Sequence, residues 1–176
     1  MSKSLVLLGA GGHAAVLADL LSQQNREILA IISPVSPGEH KVFNGIPHFS
    51  NDNDVLQFDK NSIKLVNGIG SIPGKNLRFS LYDYFKELGY EFETVIANQA
   101  IVSNYVRLGE GAQVMAGTII QTGTVIGNNT IVNTGAIIDH DCDIGATNHI
   151  APGVTLRGLV HTQKRVHVGT GASVLQ

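Results

Sequence analysis

The chain has 176 residues, enough for one ordinary domain or two small ones, with Lys+Arg 12 against Asp+Glu 14 and a net charge of −2. That balance gives no electrostatic case for nucleic acid or an anionic membrane surface. Charged residues are only 15%, glycines number 20, tryptophan is absent and Cys142 is the one cysteine, so tight turns around an aliphatic core are expected and an internal disulfide framework is excluded.

The first half alternates short apolar runs with helix-like segments. Ser4–Leu8 (SLVLL) reads as a buried parallel strand, followed by a turn over residues 9–12. Residues 14–21 carry apolar side chains at helical spacing. Glycines, His13 and Asp19 break this apolar start, which argues against a secretory signal. No apolar run approaches the ~20 residues of a membrane span. A cytoplasmic protein is expected. Ile28–Ile32 (ILAII) is a second strand, and residues 33–45, with Pro34, Pro37 and Gly38, are loop-like. A helix is expected over 51–58, a third strand over 62–68, and a helix over 77–88 stopped by Gly89. Residues 94–96 read as one more short strand. This alternation implies a small parallel α/β sheet, Rossmann-like, over residues 1–95.

From residue 96 the pattern changes. Every sixth residue from Val102 to Val174 is aliphatic except Thr162, and the residues four further on are all small or medium-sized, Val106 through Ala172. Glycines 109, 127 and 145 add a period of eighteen. Neither a helix nor a simple strand gives six with eighteen above it. A triangular coil does. Each hexad is one wall, three walls are one turn, and the aliphatic of each hexad stacks inward on its equivalent one turn away. Neighbouring coils then lie about 4.8 Å apart.

This hexad pattern resembles the left-handed parallel β-helix of hexapeptide-repeat acyltransferases. The start, LVLLGAGGHAAVLADLL, and the later NTGAIIDHDCDIG and HIAPGVTLRG are similar to the subfamily that acetylates amino groups of nucleotide-linked sugars, related to sialic acid O-acetyltransferase-like proteins. The fold class expected is therefore an α/β Rossmann-like subdomain over 1–95 followed by a left-handed parallel β-helix over 96–176, the latter lacking its last coils. The resemblance implies acetyl-CoA as co-substrate, a nucleotide-sugar acceptor, and a homotrimer with sites between subunits.

The loop Gly9-Ala10-Gly11-Gly12-His13-Ala14 formally matches the dinucleotide fingerprint. An acid should then end the second strand to hold a ribose, but Ser33 and Pro34 stand there. NAD is therefore not expected. Glycines still let backbone approach a ligand, and a helix N-terminus favours phosphate. The resemblance implies that Ala10, Gly11, Gly12 and His13 hold the nucleotide sugar, with Ile69 and Gly70 touching the nucleotide.

The second cluster is Asp139-His140-Asp141-Cys142-Asp143. Between residues 96 and 160 the only other acid is Glu110. A sugar amine must be neutral to attack a thioester, so a base that accepts a proton near pH 7 is needed, and histidine suits that role. A carboxylate against the imidazole would fix its tautomer and raise its basicity. His140 is therefore the expected base. In a straight strand His140 and Asp141 would face opposite ways, so they pair only if the chain bends there. The resemblance favours Asp141 as the partner, with Asp139 in reserve.

Gly158 lies eighteen residues after His140, one coil along, where its N–H could bind the CoA sulfur or a developing oxyanion. His149, nine residues on, should not converge with His140 within one chain. The resemblance implies that His149 contacts acetyl-CoA. Asn133 and Thr134 are expected to line the sugar side, although Asn133 also fits a ladder asparagine of the coil. Cys142 falls on a small inward position and reads as a buried side chain.

The reaction expected is N-acetylation of a UDP-linked 4-amino sugar for surface glycan biosynthesis, UDP and C4 both coming from the resemblance. O-acetylation of a sialic acid or related sugar by the same base is the alternative, and a non-catalytic nucleotide-sugar scaffold is a third. A γ-type carbonic anhydrase would use His140, His149 and His161 or His167 for zinc. The α/β half is foreign to that class, so no metal is expected.

Overall fold

A computed structural model describes residues 3–175. The chain divides into two compact units, Met1–Glu93 and Thr94–Gln176.

The first unit is built on β1 (Ser4–Leu8), α1 (Gly12–Gln23), β2 (Ile28–Ile32), β3 (His48–Phe49), β4 (Ile63–Asn67) and α2 (Leu77–Glu87). The strands are all parallel, in the order β3-β2-β1-β4. Leu5, Val6, Leu7 and Leu8 of β1 are all buried. A parallel strand covered on both faces needs such a continuous apolar run rather than an alternating one. Leu8 pairs with Ile32 on one side and Asn67 on the other. Three strand ends therefore lie side by side, and the loops that leave them start from one edge. Gly9 N–H donates to Ile32 O at 2.7 Å, and Gly68 N–H to Leu8 O at 2.8 Å. Ligands of open α/β sheets bind outside such carboxyl ends.

The helix expected over 51–58 is instead a short 3-10 helix, Asp52–Gln57. Asn51 and Asp54 form a reciprocal capping box at its start, but Val55 is its one buried residue. A single apolar anchor gives no stripe to hold a longer α-helix against the sheet. A 3-10 turn at Lys41–Phe43 falls in the segment read as loop, and β3 lies just beyond it, where the sequence assigns no element. The remaining strands and both α-helices lie where the sequence puts them, with α1 starting two residues earlier.

The second unit holds fourteen two-residue strands, β5 (Val95–Ile96) to β18 (Ser173–Val174). They form three parallel walls. Every strand pairs with the one eighteen residues away, as Ile137 does with Ile119 and Thr155, and Ile138 with Ile120 and Leu156. This is the left-handed parallel β-helix expected from the hexads, and residues 95–96 belong to it as its first strand. The inward row Val114, Ile120, Ile126, Val132, Ile138, Ile144, Ile150 and Leu156 is at most 1% exposed. Each such side chain stabilises the fold by roughly 1.5–3 kcal/mol through burial.

The inward threonines are satisfied by the coil itself. Thr118, Thr124 and Thr130 each donate a hydroxyl hydrogen to a carbonyl fifteen residues on, Asn133 O, Asp139 O and Gly145 O. That explains why the small position accepts a polar residue: its hydroxyl replaces a solvent bond with a backbone one. Thr162, the one exception in the aliphatic row, likewise accepts from Gly145 N–H at 3.1 Å.

Candidate active site

The corners of the coil are where side chains of adjacent residues can come together. Asp141 has φ +58. That left-handed turn ends the wall and swings the carboxylate back towards its neighbour. His140 Nδ1 and Asp141 Oδ2 are 2.9 Å apart, with the two side chains 51% and 56% exposed. The bend needed for the pair is therefore present. Asp139 takes a different part: its Oδ1 accepts from the backbone N–H of His140 at 2.8 Å. It fixes the corner's main chain while Asp141 holds the ring.

The Asp141 hydrogen bond, followed by the negative charge of Asp139, raises the His140 pKa above that of an ordinary histidine. Both acids favour the imidazolium, so the ring is a better proton acceptor than an isolated one. With Nδ1–H given to Asp141, Nε2 is the nitrogen left for a substrate proton.

Two glycines make room for this pair. A β-carbon at Gly158 would lie 2.7 Å from both Cε1 and Nε2 of His140. A β-carbon at Gly123, one coil to the other side, would collide with the Asp141 carboxylate. Gly158 thus stands beside the reactive nitrogen, as its spacing predicts. Gly123 was not singled out from the sequence, although subtracting eighteen from Asp141 finds it.

Asn133 and His149 meet each other on a different wall. Asn133 Nδ2 is 3.0 Å from His149 Nε2, and His149 Nδ1 is 3.3 Å from His167 Nδ1. His149 is 9% exposed. The coil brings Asn133 to His149 and not to His140, and Thr134 stays at the same corner through its N–H bond to Asn133 Oδ1. His167 was considered from the sequence only as a zinc ligand. Among the described residues no cluster of three or more His, Cys, Asp or Glu side chains is arranged to hold a metal.

Cys142 is buried, its Sγ lies 3.2 Å from Arg157 O, and burial pushes its thiol pKa up. A buried, protonated thiol is no nucleophile, which fits its reading as an inward core residue.

In the first unit, Ala10 is nearly buried and Gly11 and Gly12 are exposed. Gly11 occupies the N-cap of α1, and no acid stands in that helix's first turn. The helix start therefore faces outward with its N–H groups uncompensated by a side-chain charge. Gly70 comes against His13: a β-carbon on Gly70 would be 3.6 Å from His13 Cβ. The loop after β4 is held by Arg78, which donates to Asn67 O at 2.9 Å and Ile69 O at 2.6 Å. Beside it lies a cavity of about 250 Å³ lined by Ile69, Gly70, Ile72, Lys75, Leu77 and Arg78. Ser33 is buried and its hydroxyl accepts from Val35 N–H at 3.2 Å. It is used to shape its own turn and supplies no carboxylate for a ribose.

The family described as PglD N-terminal domain matches residues 4–84, and bacterial transferase hexapeptide (six repeats) matches residues 123–158. Among solved structures it is similar to the acetyltransferase domain of PglB from Neisseria gonorrhoeae in complex with acetyl coenzyme A. The identity is 28% and the TM-score 0.87, over 98% of this chain and 82% of that one. A mutant of perosamine N-acetyltransferase from Caulobacter crescentus, bound to CoA and GDP-perosamine, is 29% identical. Its TM-score is 0.77, over 99% of this chain and 87% of that one. WeeI from Acinetobacter baumannii shares the fold at 23% identity and TM-score 0.82, over 98% of this chain and 81% of that one. Among curated proteins nothing matches. The expected kinship with hexapeptide-repeat nucleotide-sugar acetyltransferases is borne out, and with it the two-part fold. Among the described residues no helix is long and apolar enough to cross a membrane.

Proposed function

We propose that this protein transfers an acetyl group from acetyl-CoA to the amine of a nucleotide-linked amino sugar, with His140 as the general base. The observation that carries this is the half-exposed His140–Asp141 pair, 2.9 Å apart, with Gly158 clearing space beside Nε2. The PglB domain with acetyl coenzyme A and the Caulobacter enzyme with CoA and GDP-perosamine support the class of both substrates.

The amine attacks the thioester carbonyl while its proton passes to His140 Nε2. The new C–N bond forms and the C–S bond breaks, and the imidazolium returns its proton to the departing thiolate. Asp141 keeps the ring's other proton on Nδ1 and stabilises the imidazolium. The Gly158 N–H is assigned to the CoA sulfur or the developing oxyanion. His149 is assigned to acetyl-CoA and Asn133 to the sugar side. Ala10, Gly11, Gly12 and His13 are assigned to the diphosphate at the start of α1, with Gly70 beside the nucleotide. The nucleotide is UDP and the amine that at C4 of the sugar.

The active form is a homotrimer. Ile101, Ile119 and Ile137 form an outward row on one wall, paired in register, and Ile101 and Ile137 are 66% and 40% exposed. An apolar row on a repeat wall is a face for another copy. Such packing lets the base of one subunit meet acetyl-CoA held by the next.

The test is thiol release from acetyl-CoA with a panel of UDP- and GDP-linked 4-amino sugars and free sialic acids. Turnover with a 4-amino sugar is expected for the wild type. His140→Ala should lose at least ~10²-fold in rate, as for a missing general base. An unimpaired His140→Ala enzyme removes the mechanism, and turnover of sialic acids alone removes the N-acetyl assignment.

A further inference from the structure

The wall opposite the His140 corner carries a second set of polar side chains whose protons are fixed by geometry. The backbone N–H of Thr134 donates to Asn133 Oδ1 at 2.8 Å. A backbone N–H can only donate, so that amide atom is the oxygen and the other is the NH2 nitrogen. Nδ2 lies 3.0 Å from His149 Nε2. Nε2 must then accept, and the His149 ring proton sits on Nδ1. That Nδ1 is 3.3 Å from Nδ1 of His167, in rings set edge to face at 83° with centroids 4.7 Å apart. His167 Nδ1 must in turn accept, which places its own proton on Nε2.

We propose that His167 is a positioning residue for acyl transfer: its Nδ1 lone pair accepts the Nδ1–H that the Asn133 amide imposes on His149, and so holds the His149 ring in place. This rests on the reading of His149 and Asn133 as substrate contacts. The strand register makes the lock possible, because His149 and His167 pair directly across adjacent coils on the same wall. His149 is nearly buried whereas His167 is exposed. The outer ring supplies a second hydrogen bond to the inner one beside that of Asn133. The alternative Nε2–H tautomer of His149 would set N–H against N–H at Asn133. With Oδ1 committed to Thr134 and one hydrogen of Nδ2 to His149, Asn133 keeps one N–H to offer. The group it fits is an uncharged oxygen, such as a thioester carbonyl or sugar hydroxyl. It does not fit an ammonium.

The experiment uses the full-length protein labelled with 15N and long-range 1H–15N spectra of the histidine rings. The wild type is expected to show His149 as the Nδ1–H tautomer. His167→Leu removes the acceptor, whereas His167→Asn keeps an oxygen near the position of Nδ1. His167→Leu should leave the His149 tautomer in place, move its Nδ1 resonance and lower kcat/KM for acetyl-CoA about tenfold, and His167→Asn should stay within about threefold of wild type, the scale of one hydrogen bond. A thermal melt confirms that each variant is folded. An Nε2–H tautomer in the wild type, an unmoved His149 Nδ1 resonance in His167→Leu, or equal losses in both variants would overturn the proposal. If the wild type acetylates no amino sugar, the proposed function fails, and the ring spectra alone still decide the tautomer claim.

Discussion

Gly158 stands one coil from His140, so close that a β-carbon there would press on the imidazole at 2.7 Å. The backbone of Gly158 is not in the left-handed region. A methyl group is therefore tolerated by the chain and opposed only by the ring. Gly158→Ala is expected to turn the His140 ring off its bond to Asp141. The fold survives because the ring is exposed and can move. kcat should fall by about 10²-fold, the cost of misplacing a catalytic group by about 1 Å. Steady-state kinetics beside a thermal melt check this. A variant with wild-type kcat would show that the ring is not held where the base must act.

The pH profile carries the signature of Asp141. The proposed mechanism needs His140 neutral, so kcat/KM should rise with pH through the His140 pKa, which Asp141 and then Asp139 raise above the ordinary histidine value. Replacing the Asp141 carboxylate weakens the hydrogen bond that is the largest cause of that rise. In Asp141→Asn the acid limb of the profile is expected to move to lower pH, and the plateau to fall because the base is weaker. The pair is exposed, so the stability that the raised pKa adds at low pH, lost as pH rises through it, is small. An acid limb that stays in place would assign the raised pKa to another group.

The repeat was legible because six-residue spacing has one compact solution, and each stacked pair, such as Ile120 with Ile138, is a residue and its eighteenth neighbour. The same arithmetic placed Gly158 beside His140. Gly123 answers to the same interval only when it is taken backward from Asp141. The His140–Asp141 pairing could not be read from alternation. It depends on a left-handed φ at Asp141, and no residue type announces that as glycine does. The contact of Asn133 with His149, sixteen residues on, runs across a coil rather than along one, so the interval from Asn133 to His140 does not reveal it. In the first unit the 3-10 segment at Asp52–Gln57 misled because a good cap, Asn51, precedes too few apolar residues to sustain a helix.

Arg78 is 4% exposed, and burial pushes its guanidinium pKa down to about 9. It spends its N–H groups on Asn67 O and Ile69 O, and Asn67 Nδ2 donates back to Arg78 O at 2.9 Å. This lock shapes the loop that brings Gly70 to His13. Arg78→Met keeps most of the volume but leaves two carbonyls without their donor. A loss of about 2–4 kcal/mol is expected in urea unfolding, the scale of a broken buried network. Nucleotide-sugar KM should rise, since the loop is no longer fixed. A stability unchanged within error would mean that water replaces the guanidinium.

Ile137 and Ile138 are neighbours in one strand with opposite duties. Ile138 points into the coil, is fully buried and stacks between Ile120 and Leu156. Ile137 faces outward between Ile119 and Thr155 and is 40% exposed. Ile138→Ala removes buried methyl groups from a rigid column that cannot collapse around the gap. It is expected to cost about 2–5 kcal/mol in unfolding free energy. Ile137→Asp should change the stability of the single chain by no more than ~0.5 kcal/mol, as for an exposed site. It should nevertheless dissociate the proposed trimer and lower activity with it, because a charge is placed on the apolar row. Sedimentation velocity and the thiol-release assay on the same samples separate the two effects. If Ile137→Asp stays trimeric and fully active, this wall is not the subunit interface and the acetyl-CoA seam must lie on another face of the coil.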